Sequence, residues 1–157
     1  SVGHQPGSHF SLLLADVHGQ VNGYTDLRYL YQIESLAQSM GMDTIWMSQW
    51  YQDQHILVPE NLSDISPETA ALFVASSGHA AHFAQQLIES AQRHHHNGLS
   101  PLEAAQMYVE MRWREREPLR TICHDKIMII NAGPANLQLL PRQGIAYVFT
   151  GQPGPWF

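Results

Sequence analysis

Apolar positions change their spacing several times along the chain, and each change marks an element. Residues 10–15, FSLLLA, form a continuous apolar run closed by Asp16, Gly19 and Gly23, the pattern of a short buried strand. From Thr25 the spacing turns to three and four. Leu27, Leu30, Tyr31, Ile33, Leu36, Ala37 and Met40 recur until Gly41, which predicts an amphipathic helix over 25–40 with a glycine C-cap. DTIWMSQWY, residues 43–51, then predicts a second strand. Strand, helix and strand with short joints make a βαβ unit, whose right-handed crossover sets the two strands parallel.

Beyond the proline-punctuated loop at 58–68, residues 69–95 carry a long helical pattern, either one helix broken near Gly78 or two. His94, His95 and His96 stand at its end. Consecutive residues point to different sides of a helix, so the triplet reads as a helix terminus favoured by the dipole rather than as a metal site. Ser100, Pro101 and Glu103 predict a capped helix start, with Glu103 three residues after the cap, and Pro118 predicts its end. KIMIINA (126–132) and GIAYVFT (144–150) read as strands. The order of elements predicts a single α/β domain over 1–157, a three-layer sandwich with a central, mostly parallel sheet.

Composition narrows the functional classes. With 44% hydrophobic and 14% charged residues the chain is too apolar to be disordered. One cysteine, Cys123, excludes an intrachain disulfide framework and fits a reduced, cytoplasmic protein, and no apolar run is long enough to cross a membrane. A net charge of −6 repels polyanions at long range, so nucleic-acid contact has to be local. Five of the eight cations fall between Arg112 and Lys126, and Arg112, Arg114, Arg116 and Arg120 form a candidate phosphate-binding stripe, with Glu115 and Glu117 interleaved as on a solvated helix face. Trp46, Trp50 and Trp113 read either as core residues or as stacking platforms.

Asp16-x-His18-Gly19 after a buried strand resembles the first metal-binding motif of calcineurin-like metallophosphoesterases, which implies a metal-dependent phosphoesterase built on Asp16 and His18. The further Gly-Asp-x-x-Asp and Gly-Asn-His blocks of that family are not in this sequence, and Gly78-His79-x-x-His82 is only a loose echo of a later one.

A longer segment carries a second resemblance. LLLADVHGQVN and DLRYLYQIESLAQSMGMDTIWMSQWYQ, with Ala15, Asp16, His18, Asn22, Leu27, Arg28, Gly41, Ser48, Tyr51 and Gln52 at the matching positions, resemble the βαβ unit of tyrosyl- and tryptophanyl-type class I aminoacyl-tRNA synthetases. That likeness implies a Rossmann-like fold with Asp16, His18, Asn22, Ser48, Tyr51 and Gln52 as substrate-binding residues beyond the carboxyl ends of the strands. The ATP-binding His-x-Gly-His and Lys-Met-Ser-Lys blocks are not present, which argues against adenylate formation.

The second half resembles the cyclodipeptide synthases, synthetase-derived enzymes that take aminoacyl groups from charged tRNA without ATP. Gly98-Leu99-Ser100, Tyr108-Val109 and Ala146-Tyr147-Val148 carry the likeness in order. It implies acyl transfer with Tyr108 and Glu110 as the catalytic proton shuttle, no cofactor, and aminoacyl-tRNA and a second copy of the chain as partners. Arg112 stands where that family has a glutamate one turn after the tyrosine. The family's serine-bearing first strand has no counterpart before Phe10, so the nucleophile is unassigned; Cys123 beside His124 is an alternative, although neighbours on a strand face opposite ways. A third reading is a non-catalytic synthetase-like domain that binds an amino acid or a partner.

Overall fold

The computed structural model describes residues 10–93, 98–122, 128–130, 139 and 145–147. The N-terminal unit is the expected βαβ. Strand β1 (Ser11–Leu14) pairs in parallel with β2 (Asp43–Trp46), in a register that sets Ser11 opposite Asp43 and Leu14 opposite Trp46. The crossover helix, here α2 (Arg28–Ser39), starts where Asp26 accepts the backbone N–H of Arg28 at 3.0 Å. It ends in a Schellman turn: the Gly41 N–H reaches the carbonyl of Gln38 and the Met42 N–H that of Ala37, with Gly41 at φ +75°.

Two helices flank this unit that hydrophobic spacing alone does not announce. Helix α1 (Asp16–Val21) follows β1 directly, and α3 (Met47–Asp53) replaces the second half of the expected strand 43–51. The reason for α3 is remote. The Asp16 carboxylate accepts the Ser48 N–H at 3.0 Å, capping a helix whose own N-cap, Trp46, supplies no side-chain acceptor. Met47, Trp50 and Tyr51 then share a buried face, a helical rather than an alternating pattern.

The long helical stretch is two helices, α4 (Pro67–Val74) and α5 (Gly78–Ala91), broken where Ala75 and Ser77 are extended and Gly78 has φ +77°. The longest helix, α6 (Pro101–Ile122), opens with the expected box: Glu103 accepts the Ser100 N–H at 2.7 Å, and the Ser100 hydroxyl accepts the Glu103 N–H at 3.2 Å. Pro118 does not end it. The proline forfeits one backbone hydrogen bond, but Leu119 on the next position is buried among Val17, Met47, Trp50, Tyr51 and Met111, and that packing carries the helix to Ile122.

Helix α6 supplies both buried clusters. Its Met111 and Leu119 pack with α1 and α3, while Ala104, Ala105 and Val109 pack with Phe83, Leu87 and Ala91 of α5 and with Leu139. Strands β3 (Met128–Ile130) and β4 (Ile145–Tyr147) pair in parallel as a separate sheet. The chain is thus mixed α/β, and its described strands form two two-stranded parallel sheets rather than one central sheet. The histidine triplet 94–96 and Cys123 with His124 lie outside the described residues. Among the described residues no helix is long and apolar enough to cross a membrane.

Candidate functional site

Tyr108, Arg112 and Glu115 stand at i, i+4 and i+7 on α6 and so share one face, which turns toward α1 and α3. A polar face turned inward needs partners, and it has them. Glu115, 1% exposed, accepts from His18 Nε2 of α1 at 2.6 Å, from the Tyr51 hydroxyl of α3, and from Arg112 Nη1 at 2.8 Å. Arg112, 9% exposed, also donates through Nε to the Tyr108 hydroxyl at 2.9 Å, and its guanidinium carbon lies 5.1 Å from the Tyr108 ring centroid. The His18 ring meets the Tyr108 ring edge to face at 5.6 Å.

Electrostatics fix the protonation states. Burial alone would raise the Glu115 carboxyl, but the electrostatic pull of His18, then the charge of Arg112 and the bonds from His18 and Tyr51, outweigh it and hold the group at about 2, so it is ionised. Burial, reinforced by the Arg112 charge, lowers His18 below 6.5 against the opposing pull of Glu115. A neutral His18 that donates from Nε2 to a carboxylate keeps Nδ1 as a lone-pair acceptor. Burial and the Glu115 charge raise the Tyr51 hydroxyl, which stays protonated. In Arg112, burial opposes the charged form, and Tyr108 and Glu115 more than offset it, so the pKa rises. The cluster therefore holds one cation and one anion in contact with three neutral donors or acceptors, the arrangement that makes a buried ion pair tolerable.

Other expected site residues go elsewhere. Asp16 is buried as the cap of α3, and Ser48 is the residue it caps. Asn22 ends α1, its N–H on the His18 carbonyl, and Gln52 points to solvent from α3. Glu110, expected beside Tyr108 in the shuttle, faces away from it. Its Oε2 accepts from the Ser66 N–H at 3.0 Å, the Ser66 hydroxyl at 2.7 Å and the Thr69 hydroxyl at 2.7 Å, tying α6 to the start of α4. Burial disfavours the Glu110 charge, but those bonds and Arg114 prevail and lower its pKa.

The expected arginine stripe is not a solvated row. Arg112 is internal, and Arg114 clamps the loop before α4 by donating to the Leu57 and Asp64 carbonyls, each at 2.7 Å, and to Glu110 at 3.1 Å. Arg120 pairs with Glu117 at the surface, and Arg116 lies over Trp113. Glu115, the centre of the cluster, reads in sequence as an exposed partner of the flanking arginines. Its spacing from Tyr108 and Arg112, with Met111 and Leu119 on either side, is the signal that places it inward.

Asp16 Oδ1 and His18 Nε2 are engaged by protein partners, and among the described residues no three His, Cys, Asp or Glu side chains are grouped to hold a metal ion. His79 and His82 are exposed on α5, with His79 stacked on Phe83.

These features define a class, a mixed α/β protein with a buried His–Glu–Arg–Tyr site beside a parallel βαβ unit. No protein-family model, no curated protein and no solved structure matches the chain.

Proposed function

We propose that this chain is an aminoacyl-tRNA-using acyl transferase of the cyclodipeptide synthase type on a Rossmann-like sandwich, forming peptide bonds without ATP. One observation carries the reading. The half that resembles class I synthetases contributes His18 and Tyr51, the half that resembles cyclodipeptide synthases contributes Tyr108, Arg112 and Glu115, and the five side chains meet in one cluster. In the transfer, the amine of one aminoacyl ester attacks the carbonyl carbon of another. A C–N bond forms, the ester C–O bond breaks, and the tRNA 3′ oxygen leaves as a hydroxyl. His18 Nδ1 takes the amine proton, and Tyr108, whose hydroxyl oxygen is already held by Arg112, supplies a proton to the leaving oxygen. Return of the proton between the two rings resets the pair. A second attack, by the free amine of the dipeptidyl ester on its own ester carbonyl, closes the ring and frees the second tRNA. Glu115 is a positioning residue, because it fixes the His18 tautomer and the Arg112 fork.

The test is incubation with tRNA charged with each amino acid, ATP omitted, and mass-spectrometric search for cyclic dipeptides. Product that disappears in Tyr108→Phe supports the reading, and no product from any charged tRNA refutes it.

The closure of the site favours a second reading. Glu115, Tyr51, His18 and Arg112 are all buried and satisfy one another, as in a non-catalytic synthetase-like domain whose pocket its own side chains fill. Such a domain binds no free amino acid at this cluster, which calorimetry with the twenty amino acids decides.

A further inference from the structure

Helix α6 carries four arginines, and three are neutralised in place, Arg112 by Glu115, Arg114 by Glu110 and Arg120 by Glu117. Arg116 has no carboxylate partner among the described residues, although Glu115 and Glu117 flank it in sequence. Its guanidinium lies instead over the Trp113 ring, 5.2 Å from the centroid. Arg116 Nε and Trp113 Nε1 are both sealed from solvent with no acceptor among the described residues. Unpaired buried donors of this kind are costly, so an anion brought beside them is favoured.

We propose that Arg116 and Trp113 form a seat for a phosphate group. Stacking on the indole fixes the guanidinium plane in advance, so an anion that meets its fork does not have to order a free side chain. The charge is uncompensated and partly desolvated, which strengthens a charge-assisted bond relative to one at an open surface. A phosphate monoester carries more charge and one more terminal oxygen than a carboxylate, which makes it the better partner for an uncompensated guanidinium. Arg116 follows Arg112 by one helical turn, so the seat borders the buried cluster. The net charge of −6 provides no general attraction for anions, and binding therefore reports a local seat. None of this depends on acyl transfer; where that reading holds, the phosphate belongs to the tRNA 3′ end.

Calorimetric titration at low ionic strength with inorganic phosphate and with adenosine monophosphate, and with acetate as the carboxylate control, tests the seat. The unaltered chain binds both phosphates, Arg116→Gln weakens binding at least tenfold, Arg116→Lys weakens it several-fold, and Arg120→Gln leaves it unchanged. Tighter binding of the nucleotide identifies a nucleotide phosphate as the natural ligand, and equal binding identifies the phosphate alone; the seat stands in both cases. Absence of phosphate binding to the unaltered chain, full binding by Arg116→Gln, or acetate binding as well as phosphate overturns the proposal. If Arg116→Gln does not fold, unchanged binding by Arg116→Lys overturns it. No charged tRNA enters the experiment, so a missing dipeptide product and a missing phosphate seat are separate results.

Discussion

Replacing Glu115 by glutamine keeps the shape of the side chain and removes its charge. The amide retains one acceptor where the carboxylate had two oxygens serving three donors, and its new NH2 group must face Arg112 on one side or His18 and Tyr51 on the other. Breaking a buried ion pair from one side costs about 3–5 kcal/mol, because the remaining charge is left uncompensated. The lowered carboxyl pKa points the same way, since a carboxylate held below its ordinary value stabilises the fold at neutral pH. Against a total of about 5–15 kcal/mol, such a cost is a large share. Urea unfolding followed by tryptophan fluorescence and far-UV circular dichroism measures it, and thermal unfolding should show a fall in Tm of roughly 10 °C for a chain of this size. The cycle Arg112→Gln, Glu115→Gln and the double variant should return a coupling of about 1–3 kcal/mol. A Glu115→Gln variant within about 0.5 kcal/mol of the unaltered chain would refute the buried network.

Acid stability follows from the same pair. Both folded-state pKa values are lowered, His18 from 6.5 and Glu115 from 4.5 to about 2, so both contribute stability above those ordinary values and lose it as pH falls. Unfolding midpoints measured from pH 8 to 3 should begin to drop below about 6.5 and drop further below about 4.5; His18→Gln, which keeps a donor toward Glu115, should abolish the first fall and keep the second. Thr69→Val, at a fully buried position whose hydroxyl donates to the Glu110 carboxylate at 2.7 Å, should cost about 1.5–3 kcal/mol by urea unfolding. Because Glu110 ties α6 to α4, Glu110→Gln should lower dipeptide formation only in proportion to the folded fraction, whereas Tyr108→Phe should remove it with the fold intact. His55 follows α3 with φ +54°, a left-handed conformation that glycine adopts freely, so His55→Gly should raise the thermal midpoint by the equivalent of about 1 kcal/mol.

Features decided within a few residues were legible before any coordinates. The apolar run before Asp16, the three-and-four spacing up to Gly41, the Ser100–Glu103 box and the break at Gly78 all rest on contacts between near neighbours, and all four appear in the fold. Local pattern and fold diverge where a distant partner sets the outcome. Residues 47–51 follow directly on the strand DTIW and read as its continuation, yet they coil, and Asp16, 32 positions earlier than Ser48, caps them. Pro118 has the chemistry of a helix end, and the burial of Leu119 overrides it. Glu110 and Glu115 look alike from their neighbours. Ser66 and Thr69 claim one, while His18 and Tyr51 claim the other.

By itself, then, the sequence determined a parallel βαβ unit, a long helical stretch broken near Gly78 and a long capped helix, because side-chain periodicity and capping act over one or two turns. Only the tertiary structure decided which polar residues face inward. A carboxylate is buried only where enough donors reach it, and the donors to Glu115 come from three helices, with His18 lying 97 positions away along the chain.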